Sequence, residues 1–374
     1  VDQGQNLIGG YTNDREMIFA GNVPVIIFGD HTRCIKYIDF PFAQGADGIK
    51  VLKPKQFFNE KAFYYAFQTV DIPNMGYRRH FPLFDKYAIP VPPLSEQQRI
   101  VDRIESLFTK LDEAKQKAQD ALNSFETRKA AILHKAFTGK LTAQWRNEHG
   151  VGMESWENLK FENIIEDGPQ NGLYKPQTAY GTGTKILRID CFYDGVVLPW
   201  ENLKRLALTK NEIEQYHLNV NDIVINRVNS MAYLGKSALI RELPEECVFE
   251  SNMMRITLNT RMVIPEYAIK YLNSVIGVQE LRKNAKQAVN QASINQQDVK
   301  NATIKVPKLD EQAEIVRILD DLLAKEQQVK EAAERVLEEI DLIKKAILAR
   351  AFRGELGTNN PSEESTVELL KVIM

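Results

Sequence analysis

The chain has few cysteines, and their spacing serves no obvious purpose. Cys34, Cys191 and Cys247 are far apart, odd in number and outside any CxxC pattern. That argues against a disulfide framework or a zinc site and fits a reducing cytoplasm. No apolar run approaches the roughly 18 residues needed to cross a bilayer, so no membrane partner is expected. An excess of one charge is missing too: 48 Lys and Arg face 50 Asp and Glu, for a net charge of −2. The bulk composition therefore carries no basic nucleic-acid footprint, and any such role must rest on local features. Motifs for catalysis are also lacking. There is no Walker A, no NPPY or DPPY methylation motif and no GxGxxG after a strand; Gly181-Thr182-Gly183 lacks the third glycine. His31, His80, His134, His149 and His217 have no metal-ligand spacing. No catalytic residue, metal or cofactor is expected in this chain. With 44% hydrophobic and 26% charged residues it is an ordinary folding composition, and 374 residues suggest about two domains.

What the chain does contain is an internal repeat. Residues 91–141 read VPPLSEQQRIVDRIESLFTKLDEAKQKAQDALNSFETRKAAILHKAFTGKL, and residues 306–356 read VPKLDEQAEIVRILDDLLAKEQQVKEAAERVLEEIDLIKKAILARAFRGEL. They align without a gap. Glu96-Gln97 falls on Glu311-Gln312, and Ala136-Phe137, Gly139 and Leu141 fall on Ala351-Phe352, Gly354 and Leu356. Apolar residues recur in steps of three and four: Val101, Ile104, Phe108, Leu111 and Ala118 in one copy, Val316, Leu319, Leu323, Ala333 and Leu337 in the other. This periodicity predicts two long helices with coiled-coil seams, each a rod of about 65 Å. Lys115 and Lys330 interrupt the seams at one matched position, Lys129 and Lys344 at another. Ser95 and Asp310 stand where N-caps are expected, Gly139 and Gly354 where the helices should stop. Such helices could pair between chains as a dimerisation coil, or with each other, antiparallel, inside one chain.

A segment of short strands and turns precedes each helix. Strands are expected at 25–28, 34–38 and 48–52 in the first, and at 185–189, 222–225, 237–240, 248–249 and 254–258 in the second. A helix should follow Asn59 in the first and Pro265 in the second; Glu60, Ala62 and Tyr65 match Glu266, Ala268 and Tyr271. The first segment lacks a counterpart to the opening part of the second, and the chain starts VDQGQ, so the first module is expected to lack its start. The fold class read from this is α+β, two mixed α/β modules separated by two long helices. The expected divisions are 1–90 for the first module, 91–141 for the first helix, 142–305 for the second module, 306–356 for the second helix and 357–374 for a tail.

In the paired PPLSEQQRIV and PKLDEQAEIV starts, the AFTGKL and AFRGEL ends, the DIVINRVNS stretch and the tail FRGELGTNNPSEESTVELL, the chain resembles the specificity subunits of type I restriction-modification systems. The resemblance spans nearly the whole chain. It implies two target-recognition domains, each reading half of a split double-stranded DNA site, and an intramolecular antiparallel coiled coil that sets their separation. It implies a non-catalytic cytoplasmic subunit. Two modification subunits would bind S-adenosylmethionine and methylate adenine at N6, and restriction subunits would supply translocation and cleavage with ATP and Mg.

Base edges are read by Arg, Lys, Asn, Gln and Ser, and phosphates by Arg, Lys and backbone donors. In the first module the candidates are Tyr77, Arg78, Arg79 and His80 in a turn-rich stretch, with His31 and Arg33 on a loop and Lys36 beyond it. In the second they are Asn226, Arg227, Asn229, Ser230 and Lys236 after a strand, and the amide-rich run holding Lys286, Gln287, Asn290, Gln291, Ser293 and Asn295. Each stretch can also be read as an ordinary solvated loop, and His31 as a structural histidine. Two other functions compete with DNA reading: a coiled-coil adaptor with two unrelated protein-binding modules, and a stand-alone hydrolase. The hydrolase has no nucleophile, base or metal constellation to support it. The near-neutral charge implies weak DNA affinity for the chain by itself, because phosphate neutralisation supplies much of such binding.

Overall fold

The structure, a computed structural model, describes residues 1–289 and 291–363. In chain order its elements begin with β1 (Val25–Gly29), β2 (Ile35–Ile38), β3 (Ile49–Leu52), α1 (Glu60–Phe67) and the long α2 (Leu94–Phe137). There follow α3 (Ala143–His149), β4 (Glu157–Lys160), β5 (Ile165–Asn171), β6 (Tyr180–Leu187), β7 (Phe192–Tyr193), β8 (Val196–Val197), β9 (Arg205–Leu206) and α4 (Lys210–Tyr216). Next come β10 (Asp222–Asn226), β11 (Val228–Asn229), β12 (Ser237–Leu239), β13 (Cys247–Phe249), β14 (Met253–Leu258), α5 (Pro265–Leu272) and α6 (Val275–Arg282). The last are β15 (Lys286–Gln287), β16 (Ala292–Ser293), α7 (Gln296–Asn301), β17 (Thr303–Val306) and the second long helix, α8 (Leu309–Ala351). The chain divides into two compact units. Unit 1 is Val1–Leu122 with the described residues from Glu331 onward, and unit 2 is Asn123–Lys330.

In unit 1, β1 is the middle strand of an antiparallel β2-β1-β3 sheet. Its sequence, VIIFG, is apolar at successive positions because both faces are covered. Val25 and Ile27 pack with Ile38, Phe42 and Ile49, while Phe28 packs on the other side with Phe67 and Ile72. The Asn59 side chain caps α1 by accepting from the Lys61 and Ala62 amides. In unit 2, β10 has the same character within the order β12-β10-β14-β5: all of DIVIN is buried. Ile223 and Ile225 enter one core with α5, and Val224 enters another with Phe192 and Phe249. The expected strands and both module helices are present. β4, β5 and the β15–β16 hairpin were not expected; their sequences are polar and form strands only because a partner strand is there to pair with.

The repeated motifs act as joints. Gln97 is fully buried: it accepts from the Asn59 amide at 2.7 Å and donates to the carbonyls of Phe57 (3.0 Å) and Pro92 (2.8 Å). Gln312 makes the equivalent set in unit 2, accepting from the Ile264 amide at 2.8 Å and donating to Met262 (2.9 Å) and Pro307 (2.8 Å). The glutamine of each EQ pair thus ties its long helix to the start of the module helix before it. The Phe at each long helix's end also docks on a module helix. Phe137 lies edge-on to Tyr267 and Tyr271 of α5, and Phe352 packs against the cluster of Ala62 and Ala66 on α1. Gly139 and Gly354 follow at φ +76° and +75°, a left-handed conformation that favours glycine. Ser95 and Asp310 are not the caps they were expected to be: each is the second residue of its helix. The Pro93 and Lys308 carbonyls serve the first turn instead, accepting from the backbone amides of the buried Gln97 and Gln312.

Within each unit, α2 and α8 run side by side in opposite directions. In unit 1, Ile100 and Ile104 pack with Leu348 and Ala351, and further along α2 Asp112 pairs with Lys344 at 2.6 Å. In unit 2, Arg128 pairs with Glu326 at 2.8 Å. The seam lysines have a use: the Lys344 ammonium lies 5.0 Å from the Phe108 ring centroid, and that of Lys330 lies 5.1 Å from the Phe125 centroid. Their stems cover the seam while their heads stay at its rim.

Candidate functional site

The strand register of unit 2 puts several polar loops on one edge. β10 ends at Asn226, β12 begins beside it at Ser237, β14 begins at Met253, and β5 ends at Asn171. The loops leaving these ends therefore converge. One of them contains β11, which pairs with β16 of the amide-rich hairpin: Val228 faces Ser293 and Asn229 faces Ala292. β15 continues the sheet, with Lys286 opposite Ser293 and Gln287 opposite Ala292. Two candidate stretches far apart in sequence thus form one three-stranded surface.

The side chains on this edge are placed by backbone hydrogen bonds. Arg227 donates to the Ser251 carbonyl at 3.0 Å, and its own carbonyl accepts from the Ile294 amide at 2.9 Å. Lys286, Gln287, Gln291 and Ser230 are exposed, and Ser293 is half-buried. Asn295 caps α7 through the Gln297 and Asp298 amides, so its oxygen is already in use. Asn290 lies outside the described residues. Asn226 is buried, and the Lys236 ammonium sits among rings, 3.7 Å from the Tyr193 centroid and 4.9 Å from that of Phe192. Burial pushes the Lys236 ammonium below its ordinary range, against the opposing pull of Asp194 and Asp190.

In unit 1 the two candidate loops also meet. Asp30 is buried, and its carboxylate accepts from the amides of His80 (2.8 Å) and Phe81 (2.7 Å). The His80 ring accepts from the Met75 amide at Nε2, which leaves Nδ1 to donate to the Asp30 carbonyl at 2.8 Å. His31 stacks on Tyr77 at 4.6 Å, and Tyr77, Arg78 and Arg79 are exposed. Arg33, at φ +61°, donates to the Ile72 carbonyl at 2.8 Å. Two readings need correction. His80 is fully buried and holds the arginine loop in place rather than reaching outward. Lys36 is 5% exposed and is spent on the Asp2 carboxylate and the Asn6 carbonyl, because it lies on a covered strand face.

Sequence reasoning passed over three exposed or half-exposed aromatics on the unit 2 edge: Tyr174, Tyr193 and Tyr233. Their signal was faint, each being a single tyrosine outside the polar and basic stretches picked out in the sequence. Among the described residues no group of His, Cys, Asp and Glu could hold a metal ion, and no helix is long and apolar enough to cross a membrane.

Residues 5–123 and 153–338 match the family described as the type I restriction modification DNA specificity domain. The chain belongs to that family. Among curated members it is 30% identical over 278 residues to the EcoKI specificity subunit of Escherichia coli K12, and 30% identical over 274 residues to the StySPI specificity subunit of Salmonella potsdam. Each match covers 73% of this chain and 58% of the relative, so the chain spans under two thirds of their length. The fold is that of the HsdS subunit from Thermoanaerobacter tengcongensis, with a TM-score of 0.62 at 20% identity over 90% of this chain and 82% of the other. The family's matched regions contain every candidate side chain named above.

Proposed function

We propose that this chain is the DNA-specificity component of a type I restriction-modification complex. Each module reads one half of a split duplex site, while modification and restriction subunits supply methylation and cleavage. The module and helix divisions 1–90, 91–141, 142–305 and 306–356 are the working parts of this reading, and the chain itself is non-catalytic and cytoplasmic. The observation that carries it is the pairing of β11 with β16. It supports the reading because it joins the stretch after Asn226 to the β15–β16 hairpin in one small sheet, and these stretches are rich in Arg, Asn, Lys, Gln and Ser, the residue types that suit base edges and phosphates. Unit 1 supplies the corresponding surface through Arg78 and Arg79, on a loop pinned by Asp30 and His80.

The test is adenine methylation by the assembled complex on a library of split sites. Replacing Arg78 and Arg79 with Ala should relax or weaken reading of one half-site only. A lost guanine contact costs about 1–3 kcal/mol at one position, whereas a lost phosphate contact weakens all sequences and lowers the salt slope. Arg227→Ala or Asn290→Ala should affect the other half. Equal changes in both halves would refute the modular reading, and adenine methylation by this chain alone would refute its non-catalytic role.

A further inference from the structure

Among the described residues, two polar side chains on the loop edge of unit 2 lack the partners their burial calls for. Asn226 is 0% exposed, and neither its Nδ2 nor its Oδ1 has a hydrogen-bond partner among them. A buried amide left unpaired on both sides is costly, and native interiors rarely keep one without a use for it. Lys236 is the second. Among the described residues its ammonium makes no ion pair or hydrogen bond and lies instead against the rings of Tyr193, Phe192 and Tyr233.

The two are neighbours. Ile225 pairs with Ser237, and the Asn226 amide donates to the Lys236 carbonyl at 2.8 Å, so residues 226 and 236 face each other across the strands. Alternation puts their side chains on the face of Val224 and Ala238, which also face each other and pack in the cluster of Phe192. Asn226 stands where β10 gives way to the converging loops. An amide with a free donor beside a free acceptor complements the major-groove edge of adenine, with its N6 donor and N7 acceptor. An ammonium held against rings, with no direct ion pair among the described residues, complements a phosphate oxygen.

We propose that Asn226 reads an adenine in the half-site served by unit 2, and that Lys236 leaves its ring cage for a DNA phosphate as the amide is uncovered. Tyr193 and Tyr233 are positioning residues that park the ammonium before DNA arrives. The inference rests on the DNA-specificity reading above and adds the base and the residues that read it.

The experiment uses the full chain assembled with its modification subunits and duplexes randomised in each half-site. Asn226→Asp keeps the shape but presents acceptors only, which suit the N4 donor of cytosine. At one position of one half-site the preference for adenine should fall roughly 5- to 150-fold and that for cytosine should rise, every other position holding. Lys236→Met keeps the stem and removes the charge. It should weaken binding to all duplexes alike and lower the slope of log affinity against log salt by about one. If Asn226→Asp lowers thermal stability but reads the same bases, the amide is an interior structural group and the inference fails. An unchanged salt slope for Lys236→Met defeats it as well, and that variant decides the matter if Asn226→Asp does not fold. A wild-type complex without sequence preference would sink the proposed function itself; a wild type that reads a split site through an unaffected Asn226→Asp sinks only this inference.

Discussion

The two units are joined to the long helices in the same way at one point and differently at another. In both, the buried glutamine of the EQ pair makes three hydrogen bonds to backbone groups, and the partners correspond one for one. The glutamate before it differs. In unit 2, Glu311 is 1% exposed and accepts from Arg146 (2.6 Å), Thr142 (2.6 Å) and Trp156 (3.0 Å), tying α3 and its flanking residues to the start of α8. In unit 1, Glu96 accepts, among the described residues, only a long contact of 3.5 Å from Thr358, and an ion pair there is Arg99 with Glu363, both bonds at 2.7 Å and partly open to solvent. The glutamine is retained because its partners are backbone groups, present in any sequence. The ion pair depends on side chains beyond the helix ends, where the two copies diverge. The same joint is therefore dry in one unit and wet in the other.

The sharpest way to break this comparison is Arg146→Ala. It leaves the Glu311 carboxylate buried without its charge partner and should cost about 3–5 kcal/mol, read as a lower denaturation midpoint. Arg99→Ala should cost far less; equal losses would mean that burial does not separate the two joints. Next in size are Gln97→Ala and Gln312→Ala. Each strands a backbone amide and two carbonyls, for roughly 1–3 kcal/mol, and the two losses should match. A clear difference between them would show that the shared geometry is not shared energetics.

The smallest effect is Glu363→Gln, which should leave the melting temperature at neutral pH nearly unchanged and be masked by salt. Acid separates it from wild type. Arg99 and Ser95 hold the Glu363 carboxyl down at about 2 from the ordinary 4.5. A depressed carboxyl stabilises the fold above its ordinary value and loses that contribution as pH falls from 4.5 toward 2. Melting curves across that window should fall more steeply for wild type than for Glu363→Gln, and parallel curves would remove the unit 1 ion pair from the comparison.

Much of the architecture was legible in the sequence because it is periodic or repeated. The long helices follow from spacings of three and four along α2 and α8, the central strands from VIIF and DIVI, and the helix ends from Gly139 and Gly354. The site was legible only as separate pieces. Arg78 and Arg79 on one stretch, and Arg227 and Lys286 on two others, have the composition of a polar surface, but composition does not say which loops meet. Lys36 and His80 look identical in sequence to surface lysines and histidines; only the covered strand face and the Asp30 carbonyl make them interior groups.

The sequence by itself determined the family, the repeat, the presence of two long helices and the α+β class. These rest on local propensity, on hydrophobic period and on motifs that fit within one helix turn or one strand. Only the tertiary structure decided that Asn229 and Ala292 are cross-strand partners, that Gln97 and Gln312 clamp the module helices, and that Asn226 lies buried beside Lys236 with no side-chain partner among the described residues. The reason is physical. Strand pairing and burial join residues across tens of positions through backbone groups that every residue carries, so no side-chain pattern along the chain marks which of them will meet.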